Sequence, residues 1–397
     1  MKSKNTTKLN DIIDNNKDKW LAGIEEMREV ILANLVMVSQ IPAPTFKEQK
    51  RAEFILNRYI ESDLFGPNTD EYNNVVGVLE GENPKKRIML SSHLDNIFKE
   101  TDDHNVKLNI EYAEGAGIAD NAVGLAVLIT LPEIIKKLGI KFESDIVFLS
   151  SACSVGKGDL NGIRYFMDNI EEDIDFFIGI EGVQLGRLDY FSLSNVRCDI
   201  KCDLNLEEAF VWGELGNTSA ILIINDLMNA ILGIRVPQRP KTLLNLGLIE
   251  GGEAYDTLSC KGSLSFEIRS ESDKVTDSLM KKVKEICNEI GVKHNIEIKP
   301  EFFGRQHSVA LKLAHPLVKN TINILKNIGL SAKLRPTNGD STVPLSKGIP
   351  SINLGVTSGK KSTLPNGLVF LDPIAKGILQ VLLLLVAIDK GLCDEIK

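Results

Sequence analysis

The chain has 397 residues, of which 43% are hydrophobic and 25% are charged, and its formal net charge is −8 at pH 7. This composition is typical of a soluble globular protein, and the length predicts two domains rather than one. The acidic balance and the lack of a basic run argue against a nucleic-acid partner. Six cysteines in a chain of this size do not predict a disulfide framework.

The two ends of the chain bear on localisation. The first twenty residues, MKSKNTTKLNDIIDNNKDKW, contain no apolar stretch of the kind that a signal peptide needs. Near the other end, ILQVLLLLVAI (378–388) is strongly apolar but too short to span a bilayer, so a buried helix is predicted. We therefore expect a cytoplasmic protein with no membrane partner.

Predicted strands and helices alternate in the first half of the chain. After two helical stretches, buried strands are predicted at RIMLSSHLD (87–95), SDIVFLSSA (144–152) and DFFIGIEG (175–182). A long buried helix is predicted over GIADNAVGLAVLITLPEIIKKLG (117–139), which begins polar and ends at lysines and a glycine. This alternation predicts an α/β fold, with a mainly parallel sheet and helices on both faces.

The pattern changes after about Ser194. NVRCDIKCDL alternates polar and apolar residues, as a half-exposed strand does, and the elements that follow complete a β-α-β-β-α-β order. The two cysteines of CDIKC fall on one face of this strand and no second pair follows, which disfavours a zinc clip. The buried parallel pattern then resumes. We predict one α/β domain from residues 1–193 and 307–397, interrupted by an α+β sandwich at 194–306.

Three side chains that bind metals stand where predicted buried segments begin or end. His93 and Asp95 follow one strand, Asp120 precedes the buried helix, and Glu181 ends another strand. Because the carboxyl ends of parallel strands meet in one crevice, these residues are expected to converge. An imidazole and two carboxylates suit a divalent transition metal, zinc first, and Asp95 is placed to hold the other imidazole nitrogen.

Each of these residues also has an ordinary alternative when taken singly. His93 fits a hydrogen-bonded core histidine, Asp120 fits a helix cap, and Glu181 fits a loop carboxylate. The coincidence of all three at separate element ends is what favours a metal site.

Six segments, in order and at suitable spacing, resemble the zinc-dependent exopeptidases and deacylases, which include aminoacylase, glutamate carboxypeptidase, peptidase T and acetylornithine deacetylase. The segments are SSHLDN, GAGIADNAVGLAVL, DIVFLSSACSVGKGDLNG, FIGIEG, GGEAYDTLS…FEIR and NGDSTVPLSKGIPSINLG. The resemblance covers nearly the whole chain from about residue 30. It implies a phosphorylase/hydrolase-like zinc peptidase core, with the inserted sandwich as lid and dimerisation domain, and therefore a homodimer.

The resemblance also implies roles for individual residues. His93 resembles a ligand of one zinc ion, Asp120 the aspartate that bridges two zinc ions, and Glu181 the carboxylate that completes the first site. Asp95 resembles the aspartate that orients the histidine. Arg269, in FEIR, resembles a lid arginine that meets substrate carboxylates, and a surface ion pair is the alternative for it.

The chain departs from the family pattern at the second metal. Cys153 and Ser154 stand where the family has the general-base glutamate and a glutamate ligand of the second ion. Ser362 stands where the last ligand, a histidine, is expected, with Asn366 in place of a nearby glutamate, and the lid segment reads GNTSA (216–220) without its histidine. Neutral hydroxyls are poor ligands against hydration. We therefore expect one zinc ion per chain and no two-metal hydrolysis.

Three functions are compatible with this pattern. The first is a divergent single-metal hydrolase of small peptides or N-acyl amino acids. The second is a catalytically inactive relative that binds such molecules or regulates a partner. The third is an acyl transferase with Cys153 as nucleophile, which requires a nearby base and a lowered thiol pKa. A buried, inert cysteine is the ordinary alternative for Cys153, and the GKGD turn lacks the spacing of a phosphate loop.

Overall fold

The computed structural model describes residues 2–204 and 219–395, with side chains from Thr6 onward. The chain divides into two compact units, one formed by Met1–Phe191 with Ala310–Lys397 and the other by Ser192–Val309. The second unit is inserted into the first along the sequence. Its roles as a lid and as a dimerisation domain stay predictions.

Most of the described helices belong to the first unit, and two of them belong to the second. Their bounds are α1 Lys2–Glu25, α2 Arg28–Gln40, α3 Gln49–Glu61, α4 Val123–Leu138, α5 Asn161–Asn169, α6 Ala220–Leu232, α7 Asp273–His294, α8 Pro316–Asn327, α9 Thr342–Ser346 and α10 Ile374–Asp389.

The strands form three sheets. In chain order they are β1 Phe65–Thr69, β2 Val75–Leu79, β3 Arg87–His93, β4 Lys107–Leu108, β5 Tyr112–Glu114, β6 Asp145–Ser151, β7 Phe176–Val183, β8 Arg187–Ser192, β9 Ser194–Asp203, β10 Thr242–Gly251, β11 Lys261–Ser270, β12 Pro300–Gln306, β13 Lys333–Thr337, β14 Ser351–Thr357, β15 Gly359–Lys360 and β16 Leu368–Phe370. The sheet orders are β1-β2-β6-β3-β7-β14-β8-β13, β10-β11-β9-β12 and β15-β16-β5-β4.

The eight-stranded sheet has a parallel centre and antiparallel edges. Strands β6, β3, β7 and β14 run parallel to one another, whereas β1 pairs antiparallel with β2, β2 with β6, and β8 with β14. In this register His93 lies opposite Ser151, and Gly355 lies opposite Glu181. The predicted α/β class is confirmed, and the carboxyl ends of the parallel strands share one edge of the sheet.

Both faces of this sheet are covered by apolar layers. On β3, Ile88 and Leu90 belong to the core that includes α4 and α10, whereas Met89 belongs to the core that includes α5 and α9. The period of two in a strand explains this division, because successive side chains point to opposite faces. Helices on both faces, as predicted, follow from this fully buried strand.

The helix at the centre of the larger core begins later than its sequence pattern predicts. Asp120 and Asn121 have non-helical backbone angles, so α4 begins at Val123 after a single turn over Ile118–Ala122. The segment Ile118–Leu138 is long and apolar enough to cross a membrane, but 89% of its apolar window is buried inside the protein. This burial is typical of a core helix, and α10 is likewise buried along most of its length.

The second unit is an antiparallel four-stranded sheet packed against α6 and α7, in the predicted β-α-β-β-α-β order. Its last strand begins later than predicted, at Pro300, because α7 continues to His294. Cys198 and Cys202 are buried in its core, as expected for one face of β9.

The two connections to the second unit lie side by side. Phe191 and Ala310 form an antiparallel bridge. Ser192 N donates to the oxygen of Val309 at 2.7 Å, and Leu311 N donates to the oxygen of Tyr190 at 3.0 Å. The chain therefore leaves the first unit and returns to it at one point.

Candidate metal centre

His93 is the last residue of β3, and both nitrogens of its imidazole have partners. Nδ1 lies 2.9 Å from the backbone oxygen of Asp95, and Nε2 lies 3.1 Å from Oδ1 of Asp120. Because β3 is buried from Ile88 to its end, the ring is fixed by the sheet that carries it. With Nδ1 bound to a carbonyl, Nε2 is the nitrogen placed to coordinate a metal ion.

Asp120 lies in the turn Ile118–Ala122, where its backbone is extended rather than helical. The next residue fixes this turn. The Asn121 amide donates to the oxygen of Ile180 at 3.0 Å, and its Oδ1 accepts from Gly182 N at 2.6 Å. These bonds join the turn to β7, so Asp120 and the carboxyl end of β7 are held together.

Glu181 is the third member of the group, near the carboxyl end of β7. Its Oε1 lies 3.4 Å from Nδ2 of Asn353, and its Oε2 lies 3.4 Å from Nη1 of Arg187. A Cβ at position 339 would lie 2.8 Å from Oε1, so Gly339 leaves room for this carboxylate. Neighbouring strands thus hold the carboxylate on both sides.

The structure brings these three predicted ligands together. One ligand atom from each of His93, Asp120 and Glu181 lies within 4.8 Å of the other two. One imidazole and two carboxylates at this spacing fit a divalent transition metal, with zinc first by ligand type. The donor set and its compactness therefore fit the metal that the family resemblance implies.

The charges within this group support one another. Burial lowers the pKa of His93, but the hydrogen bonds and charges of Asp120 and Asp95 outweigh it and raise the pKa well above its ordinary value. Burial raises the pKa of Asp120, yet His93 and Arg187 more than offset this and lower it. These effects favour an ion pair between His93 and Asp120, whose side chain is 43% exposed, and a cation that binds there would displace the imidazole proton.

Asp95 contacts His93 mainly through its backbone. Its Oδ1 is 3.6 Å from Nδ1 of the imidazole, farther than its own carbonyl oxygen. The carboxylate instead accepts from the backbone N–H groups of Ser154 and Val155, at 3.0 and 2.9 Å, and from Oγ1 of Thr45 at 2.8 Å. Asp95 therefore joins the end of β3 to the turn after β6, which the sequence pattern does not indicate.

A cavity of about 420 Å³ opens beside the metal centre. All three candidate ligands line it, together with residues from the turns at the carboxyl edge of the sheet. The lining also includes Ser154, Arg187, Arg335, Asp340 and Ser362. The volume suits a small peptide or amino-acid derivative rather than a folded chain.

Cys153 is buried beside a carboxylate and away from this cavity. Its backbone N–H donates to Oε1 of Glu48 at 2.9 Å, and Ser154 rather than Cys153 appears among the described cavity residues. Burial, followed by the negative charges of Glu48 and Asp95, raises the pKa of the thiol to about 12. At pH 8 only about one molecule in ten thousand would carry the thiolate, which is the nucleophilic form.

Ser154 and Ser362 both line the cavity beside Asp120. The two positions that the family resemblance assigns to second-metal ligands thus lie at the same site as the first metal's ligands. Both are occupied by neutral hydroxyls. The lid segment GNTSA lies mostly outside the described residues, and Arg269 lies on β11 in the second unit, where its Nε is 2.8 Å from Glu267. The role of Arg269 in substrate binding stays a prediction.

Asp340 is a cavity residue that is not identified from the sequence pattern. Its buried carboxylate accepts from three hydroxyls, those of Ser91 at 3.0 Å, Ser154 at 2.9 Å and Ser151. Burial raises its pKa, against the opposing effects of His93 and the serines. Asp340 lies in NGDSTVPLSKGIPSINLG, one of the segments that resemble the family. Nothing in that segment indicates that its carboxylate contacts serines on β3 and β6.

Part of the first unit is similar in sequence to a known family of peptidases. Residues 74–193 match the model of Peptidase family M28, and this segment contains all three members of the metal centre. The resemblance to the zinc-dependent exopeptidases and deacylases is therefore confirmed. No curated protein is significantly similar in sequence.

Solved structures share the fold over almost the whole chain. A tripeptidase from Staphylococcus aureus is 18% identical with a TM-score of 0.73, covering 92% of this chain and 99% of that one. The dipeptidase Dug1p from Saccharomyces cerevisiae is 13% identical with a TM-score of 0.77, covering 94% and 99%. A dinuclear metal-binding peptidase of family M20 from Bacillus subtilis is 10% identical with a TM-score of 0.66, covering 92% and 99%.

Proposed function

We propose that this protein hydrolyses small amides, either small peptides or N-acyl amino acids, with a single divalent ion held by His93, Asp120 and Glu181. The observation that carries the proposal is the convergence of these three side chains at the edge of a cavity of small-molecule size. Zinc is the ion that this ligand set favours. When bound, such an ion polarises a carbonyl oxygen and makes water a better nucleophile at neutral pH.

The residues of the chain determine the rest of the chemistry. His93, fixed by the Asp95 carbonyl, and Glu181, in contact with Asn353, would hold the ion together with Asp120. No carboxylate occupies position 153, where the family has its general base. Such a base contributes roughly a hundredfold to ten-thousandfold in rate, so slow turnover is expected unless another acceptor replaces it.

The cysteine transferase is disfavoured by the surroundings of Cys153. Its thiol is buried, its pKa is raised rather than lowered, and its contacts are carboxylates, which oppose thiolate formation. The only imidazole in the described cavity, that of His93, is bound to Asp120 and Asp95.

Hydrolysis of a panel of dipeptides and N-acyl amino acids tests the proposal. We expect turnover that a chelator abolishes, that added zinc restores, and that the Cys153→Ser variant retains within about twofold, because this thiol lies outside the cavity. Turnover that survives chelation and disappears in Cys153→Ser would establish the transferase instead. A metal-loaded protein that hydrolyses none of the panel would be the binding or regulatory relative.

We also propose that the protein is a homodimer through its second unit. Strand β10 lies at the edge of the described four-stranded sheet, and its Leu243, Leu248 and Ile249 are 53%, 65% and 59% exposed. An apolar edge strand offers unpaired backbone groups to another chain, which supports pairing with a second copy.

Light scattering after size-exclusion chromatography measures this assembly. We expect the mass of a dimer for the wild type and of a monomer for Leu248→Glu, because a buried carboxylate at the interface lacks a partner. Ile110→Glu, at an 87% exposed position in the first unit, is the matched control and should remain dimeric. A monomeric wild type would refute the proposed interface.

A further inference from the structure

Arg187 stands beside the metal centre, although the sequence pattern gives it no role. It is the first residue of β8 and lines the same cavity as the three candidate ligands. Its Nη1 lies 3.4 Å from Oε2 of Glu181, and its charge also acts on Asp120. A positive side chain therefore faces the two carboxylates that would bind the metal ion.

The guanidinium is held firmly in this position. Nε and Nη2 lie 2.6 and 2.5 Å from Oδ2 of Asp189, which is fully buried, and Nη1 donates to the oxygen of Val183 at 3.2 Å. Two N–H groups directed at one carboxylate fix the plane of an arginine side chain. Arg187 therefore contributes a fixed charge rather than a mobile one.

This charge is permanent at any pH at which the protein is handled. Burial acts to lower the pKa of Arg187, but Glu181 and Asp189 raise it above its already high ordinary value. The pKa of Asp189 is itself raised to about 6, chiefly by burial and against the attraction of Arg187, so the aspartate is mainly ionised at neutral pH. Asp189 thus contacts Nε and Nη2 of the guanidinium, while Nη1 lies near Glu181.

We propose that Arg187, through its ion pair with Glu181, opposes the binding of a cation at this centre, so that the three ligands bind a divalent ion less tightly than they would alone. The inference rests on the single-metal function proposed above. A cation near a divalent ion opposes its binding, and this effect is strong where water is largely excluded. The hydroxyls of Ser154 and Ser362, which line the same cavity, are neutral and offer no anionic ligand that would outweigh it.

Zinc titration of the purified protein against a competing chelating dye tests the inference, with metal content per chain measured alongside. Arg187→Met should bind zinc on the order of tenfold or more tightly than the wild type, because the opposing charge is gone. Arg187→Lys, which retains the charge but not the planar guanidinium, should bind zinc less tightly than Arg187→Met and lie closer to the wild type. Arg335→Met is the matched control, because Arg335 lines the same cavity but has no ion pair with the three ligands among the described residues.

Removing Arg187 leaves Asp189 buried without its partner, so Arg187→Met/Asp189→Asn provides a second test with that charge removed as well. It should again bind zinc more tightly than the wild type. Unchanged or weaker binding in both variants, with one ion in the wild type, would overturn the inference alone. A wild type without metal and an Arg187→Met variant with one ion would support the inference and refute the single-metal function. No ion in any variant would refute both.

Discussion

Replacing His93 by alanine should reduce the metal content from one ion per chain to none. His93 provides the only nitrogen ligand of the described centre, and its loss leaves two carboxylates beside Arg187. Loss of a residue that merely orients a ligand weakens metal binding by about ten- to a hundredfold, so loss of the ligand itself should exceed that range. Elemental mass spectrometry on protein purified without chelator measures the result.

A second histidine variant controls for unspecific binding. His307 is 61% exposed at its side chain, so His307→Ala should retain the ion. Equal metal content in both variants would show that the ion binds elsewhere. Two ions in the wild type would contradict the assignment of Cys153, Ser154 and Ser362 to the catalytic positions, and the protein would then be an ordinary two-metal hydrolase.

Arg51→Met should lower the free energy of unfolding by about 2–6 kcal/mol, because two carbonyls lose a charged donor at a cost of about 1–3 kcal/mol each. Arg51 is completely buried on α3, and its guanidinium donates to the backbone oxygens of Ile41 and Leu94. Burial lowers its pKa to about 10 against the attraction of Asp95 and Glu48, so it is charged at neutral pH. Its removal leaves the carbonyls of Ile41 and Leu94 without this donor and takes away a positive charge that interacts with Asp95 and Glu48.

Urea unfolding monitored by circular dichroism measures this loss. Arg58→Met is the matched control on the same helix, because the Arg58–Glu61 pair is partly exposed and such pairs contribute only about 0–1 kcal/mol. Adding Glu48→Gln to Arg51→Met should restore part of the lost stability, because it removes one of the two carboxylates whose charge interacts with Arg51. Equal stabilities of the Arg51 and Arg58 variants would contradict this account.

The fold and the first metal site follow from local sequence patterns. Strands with long apolar runs, such as 87–93 and 145–151, predict a buried parallel centre, and His93, Asp120 and Glu181 lie near the ends of such segments. Because parallel strands share a direction, their ends converge whatever the loops do. The convergence of these three residues could therefore be predicted without a structure.

Other parts of the site depend on which strands become neighbours, and the chain order does not determine this. Arg187 approaches Glu181 because β8 pairs with β14, which in turn pairs with β7. Asp340 accepts from serines that are more than 180 positions away in the chain. The Asp95 carboxylate accepts hydrogen bonds from backbone N–H groups. Residue types do not indicate such bonds, because every residue except proline carries this donor.

The bridge between Phe191 and Ala310 places the two ends of the inserted unit next to each other. Because the chain leaves and re-enters the first unit at one hydrogen-bonded point, residues 192–309 could be deleted and replaced by a short turn. This turn would join the two bridged segments as a hairpin. Insertions with adjacent ends are the kind that a host domain tolerates. The shortened chain would keep the candidate metal centre, because His93, Asp120 and Glu181 all lie in the first unit.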